Sequence, residues 1–174
     1  MLEMFKPDMY KNSIYDIDYK KLKSIGIKCI LLDFDNTLIA KGVTRTSKKT
    51  KDYIERLKDM GFKVILFSNA GKKKLKPFKE KLEVDCAASA KKPFKHKFKK
   101  IIKEFNYEEN EIAMIGDQFF TDILGGNRMG IFTVLVEPIN KKEMFITKLN
   151  RIFEKIVIRR LKRKGLFEKG KFYD

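Results

Sequence analysis

Two aspartates one residue apart, Asp33 and Asp35, follow an apolar stretch of the chain. Two carboxylates this close repel each other unless a cation or a proton lies between them. The chain has one His and two separated Cys, so the available metal ligands are oxygen atoms, which suit a hard divalent ion such as Mg²⁺ or Mn²⁺. Such an ion, with a hydroxyl and a lysine ammonium nearby, would neutralise a phosphoryl group and stabilise its transfer.

Five short apolar stretches rich in Ile, Val, Leu and Phe predict the strands that position these residues. Segments of helical period separate them, and strand alternating with helix predicts an α/β fold, a Rossmann-like three-layer sandwich around a five-stranded parallel sheet. Phe94, Phe98 and Phe105 precede the fourth strand at helical spacing and are expected to face the core. The predicted strands are Ile27–Asp33, Phe62–Ser68, Val84–Ala87, Glu111–Asp117 and Ile131–Val136.

Polar residues follow four of these strands at their carboxyl ends, where ligands bind in open parallel sheets. Each alone has an ordinary structural explanation, because Asp-rich loops and Ser often cap helices and a Lys is usually solvated. Four such groups in this order favour one shared site. Its candidate residues are Asp33, Asp35 and Thr37, then Ser68 and Asn69, then Lys92, then Asp117 with Asp122.

The segment Asp33-Phe34-Asp35-Asn36-Thr37 resembles the DxDxT signature of the haloacid dehalogenase (HAD) phosphatases. Ser68, Lys92 and the run from Gly116 to Asp122 resemble that family's second, third and fourth motifs. The resemblance implies a HAD-like sandwich in which Asp33 is the nucleophile that forms an aspartyl-phosphate. It further implies that Asp35 is the general acid and then the general base.

The same resemblance assigns roles to the other candidates. It implies that Ser68 and Lys92 hold the phosphoryl oxygens, and Asn69, beside Ser68, is added to this phosphate-binding set. Asp117 is implied to bind Mg²⁺ together with Asp33 and the main-chain carbonyl of Asp35. Two supporting roles remain. Thr37 is expected to supply a hydroxyl that orients the loop, and Asp122 is implied to support the metal ligands.

Further segments resemble the YqeG-type IIIA branch of these phosphatases: Lys6–Tyr10, Ser13–Ile17 and Gly116–Arg128. That branch is similar to the mitochondrial and plastid phosphatases that convert phosphatidylglycerophosphate to phosphatidylglycerol. The resemblance therefore implies an anionic lipid substrate. It is a weaker implication than the chemistry, since a catalytic centre does not fix the leaving group.

The spacing of the motifs leaves no room for a cap domain. About 30 residues separate Asp35 from Ser68, whereas an independent domain needs about 50 or more. An uncapped site is open, which suits a phosphate carried on a protein, a nucleic-acid end or a lipid headgroup. We therefore expect a large phosphorylated substrate.

The chain carries a formal charge of +17, and a large share lies at its carboxyl end. We divide the single domain into an arm (1–26), a catalytic core (27–140), a basic amphipathic helix (141–165) and a tail (166–174). The apolar side of the helix either packs on the sheet or lies in a membrane interface, with 141–164 as a peripheral contact. Pro77 leaves a similar choice, since the helix around it either begins there or is kinked.

Other classes of protein fit less well. A cysteine phosphatase needs Arg six residues after its Cys, but Lys92 follows Cys86 and Asp35 follows Cys29 at that spacing; the P-loop motif is absent too. The two Cys are expected in the core, and their separation indicates a reducing, cytoplasmic location. The apolar runs are too short to predict a membrane span, and Met1–Tyr10 lacks the apolar stretch of a secretion signal. The alternative is a basic nucleic-acid- or ribosome-associated protein whose phosphatase site acts on RNA ends or is vestigial.

Overall fold

A computed structural model describes residues 2–140 and 148–174 of the chain. It contains a parallel sheet of six strands in the order β1-β6-β5-β2-β3-β4. The strands are β1 (Met9–Lys11), β2 (Cys29–Leu32), β3 (Lys63–Phe67), β4 (Asp85–Ala87), β5 (Ile112–Gly116) and β6 (Phe132–Val136). The α-helices are α1 (Tyr19–Ser24), α2 (Lys48–Asp59), α3 (Lys72–Leu82), α4 (Lys95–Phe105), α5 (Leu124–Asn127) and α6 (Lys148–Arg163).

The predicted α/β sandwich is confirmed, but the prediction of five strands was wrong by one. The sixth strand, β1, lies inside the segment expected to form an arm and pairs with β6, with Met9 opposite Val134. Asp8 fixes this register, because its amide donates to the carbonyl of Thr133 at 2.9 Å and its carboxylate accepts from the Thr133 amide at 2.8 Å. Three residues without an apolar run carry no strand signal, so β1 is defined by its pairing with distant parts of the chain.

Helices cover both faces of the sheet, as a parallel sheet requires. On one face α2 and α3 bury Ile54, Leu57 and Leu75, and on the other α4 buries Phe98 and Ile101. Between β2 and β3 the structure places a loop and α2, so it contains no cap domain there, as the spacing predicted.

One expectation about the helices was wrong, and one alternative that the sequence left open is decided. Phe94 was expected in the core but is 65% exposed, because it is the N-cap of α4, with φ −73° and ψ 139°, and precedes the helical period. Pro77 does not begin its helix: α3 starts at Lys72, after its N-cap Gly71, and Pro77 lies inside it.

The carboxyl-terminal helix packs on the core over its described second half. Its predicted range began at 141, and residues 141–147 lie outside the described part of the chain. Leu161 is fully buried in a cluster that includes Tyr10, Phe119 and Phe167, while Arg159 and Lys162 are exposed. The tail then returns to the sheet. Within the described residues no helix combines the length and apolar composition that crossing a bilayer requires.

Candidate active site

The loop after β2 carries the aspartate pair. Asp33 continues the strand, donating its amide to the carbonyl of Ile115 at 2.9 Å, and its side chain is buried. The chain then turns at Asn36, which has φ 64°, a left-handed conformation that Asn tolerates better than most residues. Asp35 precedes this turn, and its side chain is 31% exposed. The loop thus buries one carboxylate and leaves the other open to solvent.

Lys92 joins two of the acidic groups. Its Nζ lies 2.6 Å from Asp33 Oδ1, 2.6 Å from Asp122 Oδ1 and 2.9 Å from the carbonyl oxygen of Phe67. Burial by itself would lower the pKa of this ammonium, but the two carboxylates outweigh it and raise the pKa above its usual value. Lys92 therefore stays protonated and acts as a fixed positive charge.

Asn69 holds the Lys92 backbone in place. Its Nδ2 donates to the Lys92 carbonyl at 3.3 Å, and its Oδ1 accepts from the Lys92 amide at 2.7 Å. These contacts tie the loop after β3 to the loop after β4, so Asn69 positions Lys92. The phosphate contact predicted for Asn69 stays a prediction.

Ser68 directly follows β3, and its side chain is buried. Its Oγ accepts a hydrogen bond from the amide of Ala70 at 3.1 Å. An oxygen that accepts in this way retains its own proton as a donor. Ser68 can therefore donate a hydrogen bond to an anionic oxygen.

Asp117 and Asp122 come from the segment after β5. Thr37 donates its hydroxyl to Asp117 Oδ1 at 3.0 Å, so the hydroxyl links the Asp33 loop to Asp117. The Oδ2 of Asp122 accepts from the amide of Gln118 at 3.1 Å, while its Oδ1 binds Lys92. Both Asp122 oxygens are thus engaged, which suits the supporting role that the resemblance implied.

The acidic cluster carries more negative charge than Lys92 neutralises. Asp33, Asp117 and Asp122 each place an oxygen within 4.8 Å of the others. Burial raises the pKa of Asp33 to about 6, with Lys92 opposing and Asp122 adding to the rise. Burial and then the Asp33 charge raise the pKa of Asp117 well above its ordinary value. The hard oxygen donors and this excess charge fit a divalent cation.

Sequence reasoning missed the individual role of Lys74. Its ammonium forms a salt bridge with the carboxylate of Asp35 and lies 5.6 Å from the centre of the Phe34 ring. The available signal was the run Lys72-Lys73-Lys74 after the second motif. The first turn of α3 therefore supplies a direct partner for Asp35.

Gly116, the last residue of β5, is required by the position of Asp122. A Cβ at Gly116 would lie 2.2 Å from Asp122 Oδ2 and 2.3 Å from its Cγ. We expect Gly116→Ala to displace this carboxylate and with it Lys92, lowering turnover about 100-fold, since a misplacement of about 1 Å can cost that much. Gly71→Ala is the control, because a Cβ there meets nothing within 4 Å. Equal kcat values for the two variants would contradict this account.

The described geometry brings the predicted groups to the carboxyl edge of one Rossmann-like sheet. A buried aspartate, a partly exposed second aspartate, a buried lysine and further carboxylates are the groups that phosphoryl transfer through a carboxylate requires. With this order along the chain, they define a HAD-type phosphatase, a hydrolase of phosphomonoesters.

Within that class, the chain belongs to the family described as mitochondrial PGP phosphatase, whose model matches residues 2–140. A probable phosphatase, YqeG, from Bacillus subtilis is 35% identical over 94% of this chain and 95% of its own. The chloroplastic/mitochondrial phosphatidylglycerophosphate phosphatase 1 of Arabidopsis thaliana is 35% identical over 86% of this chain and 46% of its own.

The fold also occurs in solved structures of distant sequence. The crystal structure of an uncharacterized protein from Listeria monocytogenes serotype 4b has a TM-score of 0.53 at 17% identity. The match covers 74% of this chain and 99% of that one. At this identity the likeness supports the fold alone.

Proposed function

We propose that this phosphatase hydrolyses the terminal phosphomonoester of phosphatidylglycerophosphate, with Mg²⁺, through an aspartyl-phosphate on Asp33. The observation that carries the mechanism is the separation of two carboxylates in one loop. Asp33 is buried against Lys92, whereas Asp35 lies at the opening beside Lys74. This pairing suits a nucleophile that meets phosphorus and an acid that meets the leaving group.

In the first step a carboxylate oxygen of Asp33 forms a bond to phosphorus as the bond from phosphorus to the glycerol oxygen breaks. Asp35 must be protonated when that bond breaks; it then gives its proton to the glycerol oxygen, so the product leaves as an alcohol. At neutral pH Asp33 is mostly ionised, because its pKa is raised only to about 6. Lys74 must release Asp35 for this transfer, and the arriving anionic substrate offers Lys74 another partner.

In the second step water attacks the phosphorus of the aspartyl-phosphate. Asp35, now a carboxylate, takes the water proton, and Asp33 leaves as a carboxylate. Ser68 and Lys92 stabilise the phosphoryl oxygens in both steps, the first by a hydroxyl proton and the second by its charge. The enzyme is then restored and phosphate is released.

The metal in this proposal would be held by Asp33, Asp117 and the main-chain carbonyl of Asp35. Asp122 keeps Lys92 in place. The ion would supply charge stabilisation at the phosphoryl oxygens. Oxygen ligands accept Mg²⁺ and Mn²⁺ alike, and the choice of Mg²⁺ follows the resemblance to HAD phosphatases.

The lipid substrate is supported by the relatives. Two relatives carry the name phosphatidylglycerophosphate phosphatase 1, from Arabidopsis thaliana and Chlamydomonas reinhardtii. The loop and single helix between β2 and β3 leave the site open, as a headgroup on a membrane requires. We accordingly propose that the enzyme acts at the cytoplasmic face of the membrane.

Phosphate release from three substrates tests the proposal. Phosphatidylglycerophosphate in mixed micelles, p-nitrophenyl phosphate and a 5′-phosphorylated RNA are compared with Mg²⁺, using Asp33→Asn as the blank. We expect kcat/KM for the lipid to exceed the other two by at least about 100-fold, because remote binding energy favours the true substrate. Preference for the RNA would instead favour the nucleic-acid alternative, and release from the generic ester alone would remove the lipid assignment.

A further inference from the structure

Three large apolar side chains are exposed in loops at the carboxyl edge of the sheet. Phe94 is 65% exposed, Ile139 53% and Val43 43%. A single exposed apolar residue is ordinary on a protein surface. These three, however, lie in separate loops, after β4, β6 and β2, and all three loops border the site.

Each of the three lies in a loop that carries site residues or is hydrogen-bonded to a loop that does. Phe94 follows Lys92 by two positions, and its amide donates to the carbonyl of Lys91 at 2.9 Å. Ile139 donates its amide to the carbonyl of Asn36, inside the aspartate loop, at 2.8 Å. Val43 lies in the same loop, beyond Ile39, which forms a bridge with Asp35. The backbone therefore holds the three residues in loops that border the site.

The exposed charges in these loops are basic, whereas their acidic side chains, among them Asp35, are at least partly buried. In the loops after β2, β3 and β4, and in the first turns of the helices that follow, each exposed charged side chain is basic. These include Lys41, Arg45, Lys72, Lys73, Lys91 and Lys95. The three apolar side chains are separated from one another by basic side chains. The surface they form is therefore neither a continuous apolar patch nor a purely ionic patch. They match a surface that is anionic outside and apolar a few ångströms deeper.

We propose that this edge docks on an anionic phospholipid bilayer, with Phe94, Ile139 and Val43 entering between the headgroups. The inference rests on the proposed function and names the surface on which that site works. It assigns the contact to the loops around the site, because Val157, Ile158 and Leu161 in the described second half of α6 pack against the core. Docking through these loops turns the opening beside Asp35 toward the headgroups.

Cosedimentation with vesicles tests the proposal in the chain of 174 residues. The vesicles contain phosphatidylcholine with or without phosphatidylglycerol. We expect binding only with phosphatidylglycerol, about tenfold weaker in Phe94→Ser and weaker still when Val43→Ser and Ile139→Ser are added, because buried apolar area and anionic lipid both contribute. Ile25→Ser is the matched control: Ile25 is 48% exposed but precedes β2, at the opposite edge, and its variant should bind as the wild type does.

Hydrolysis of p-nitrophenyl phosphate, which needs no membrane, is measured on the same proteins and should be equal in all of them. If the triple variant binds vesicles like the wild type while hydrolysis is intact, the docking surface is wrong and the chemistry stands. If the wild type docks as described but releases no phosphate from the lipid, the substrate is wrong and the docking stands. Binding of the two proteins to a soluble polyanion is measured as well. If the triple variant binds both the polyanion and the vesicles as tightly as the wild type does, the surface is purely ionic and the inference is overturned.

Discussion

Replacing Asp33 with Asn should lower turnover at least about a thousandfold, because an amide cannot form the acyl-phosphate and the first step is lost. The fold should remain, since Asn has nearly the same shape and Lys92 keeps its contacts with Asp122 and the Phe67 carbonyl. Phosphate release at saturating substrate, with a thermal unfolding curve of each protein, measures both effects.

The same substitution carries an expectation for stability. Burial raises the pKa of Asp33 to about 6, so its ionisation destabilises the metal-free fold as the pH rises above the unfolded value of about 4, and this loss is fully present above about pH 6. The neutral amide of Asp33→Asn has no charge to bury, and we expect the metal-free variant at neutral pH to be at least as stable as the wild type. Asp52→Asn, at an exposed position on α2, is the control and should change neither property. Substantial turnover by a folded Asp33→Asn protein would end the proposed mechanism.

Replacing Lys92 with Met should destabilise the protein by about 3–5 kcal/mol, the range found when one partner of a buried ion pair is removed. Met has a similar length but leaves Asp33 and Asp122 without their shared cation. Activity should be lost as well, since the phosphoryl oxygens lose a charge. Urea unfolding followed by circular dichroism measures the change.

The loss should depend on pH in a defined direction. Lys92 opposes the rise in the pKa of Asp33, so its removal raises that pKa further. A carboxyl whose pKa is higher in the folded than in the unfolded chain destabilises the fold once the pH exceeds the unfolded value of about 4. The deficit of Lys92→Met should therefore be larger at about pH 8 than at about pH 5.

Two further variants separate this electrostatic effect from lost packing. Adding Asp122→Asn to Lys92→Met removes one of the unpaired charges and should recover part of the stability. Lys91→Met changes an exposed neighbour and should have little effect. A deficit that is the same at both pH values and unchanged by Asp122→Asn would mean that packing, not charge, determines the loss.

The sequence predicts most of this fold because its strands are buried on both faces. Stretches such as Ile112–Gly116 are continuously apolar, and the helices between them show a clear period. The signal fails at β1, whose three residues are held by pairing with β6 and by Asp8. It also fails at Phe94, which matches the apolar periodicity of the helix in the sequence but is the N-cap residue that precedes the helix.

For the site, residue type and order were sufficient to find the groups, because the carboxyl ends of parallel strands meet at one edge. They were insufficient for contacts made by long side chains. The salt bridge of Lys74 with Asp35 depends on where the first turn of α3 lies. Nothing in the sequence distinguishes Lys74 from the two lysines before it. The link from Asn69 to Lys92 likewise depends on how two loops meet.

The central claim is that Asp33 becomes phosphorylated, and trapping that intermediate tests it most directly. In Asp35→Asn the general base for the second step is absent, whereas p-nitrophenolate leaves with little need of an acid. Acid-quenched samples of this variant, mixed rapidly with p-nitrophenyl phosphate and Mg²⁺, are digested and analysed by mass spectrometry. We predict a burst of p-nitrophenol equal to the enzyme concentration and one phosphoryl group on Asp33. Simultaneous release of p-nitrophenol and phosphate, with no phosphorylated peptide at any time, would contradict the account.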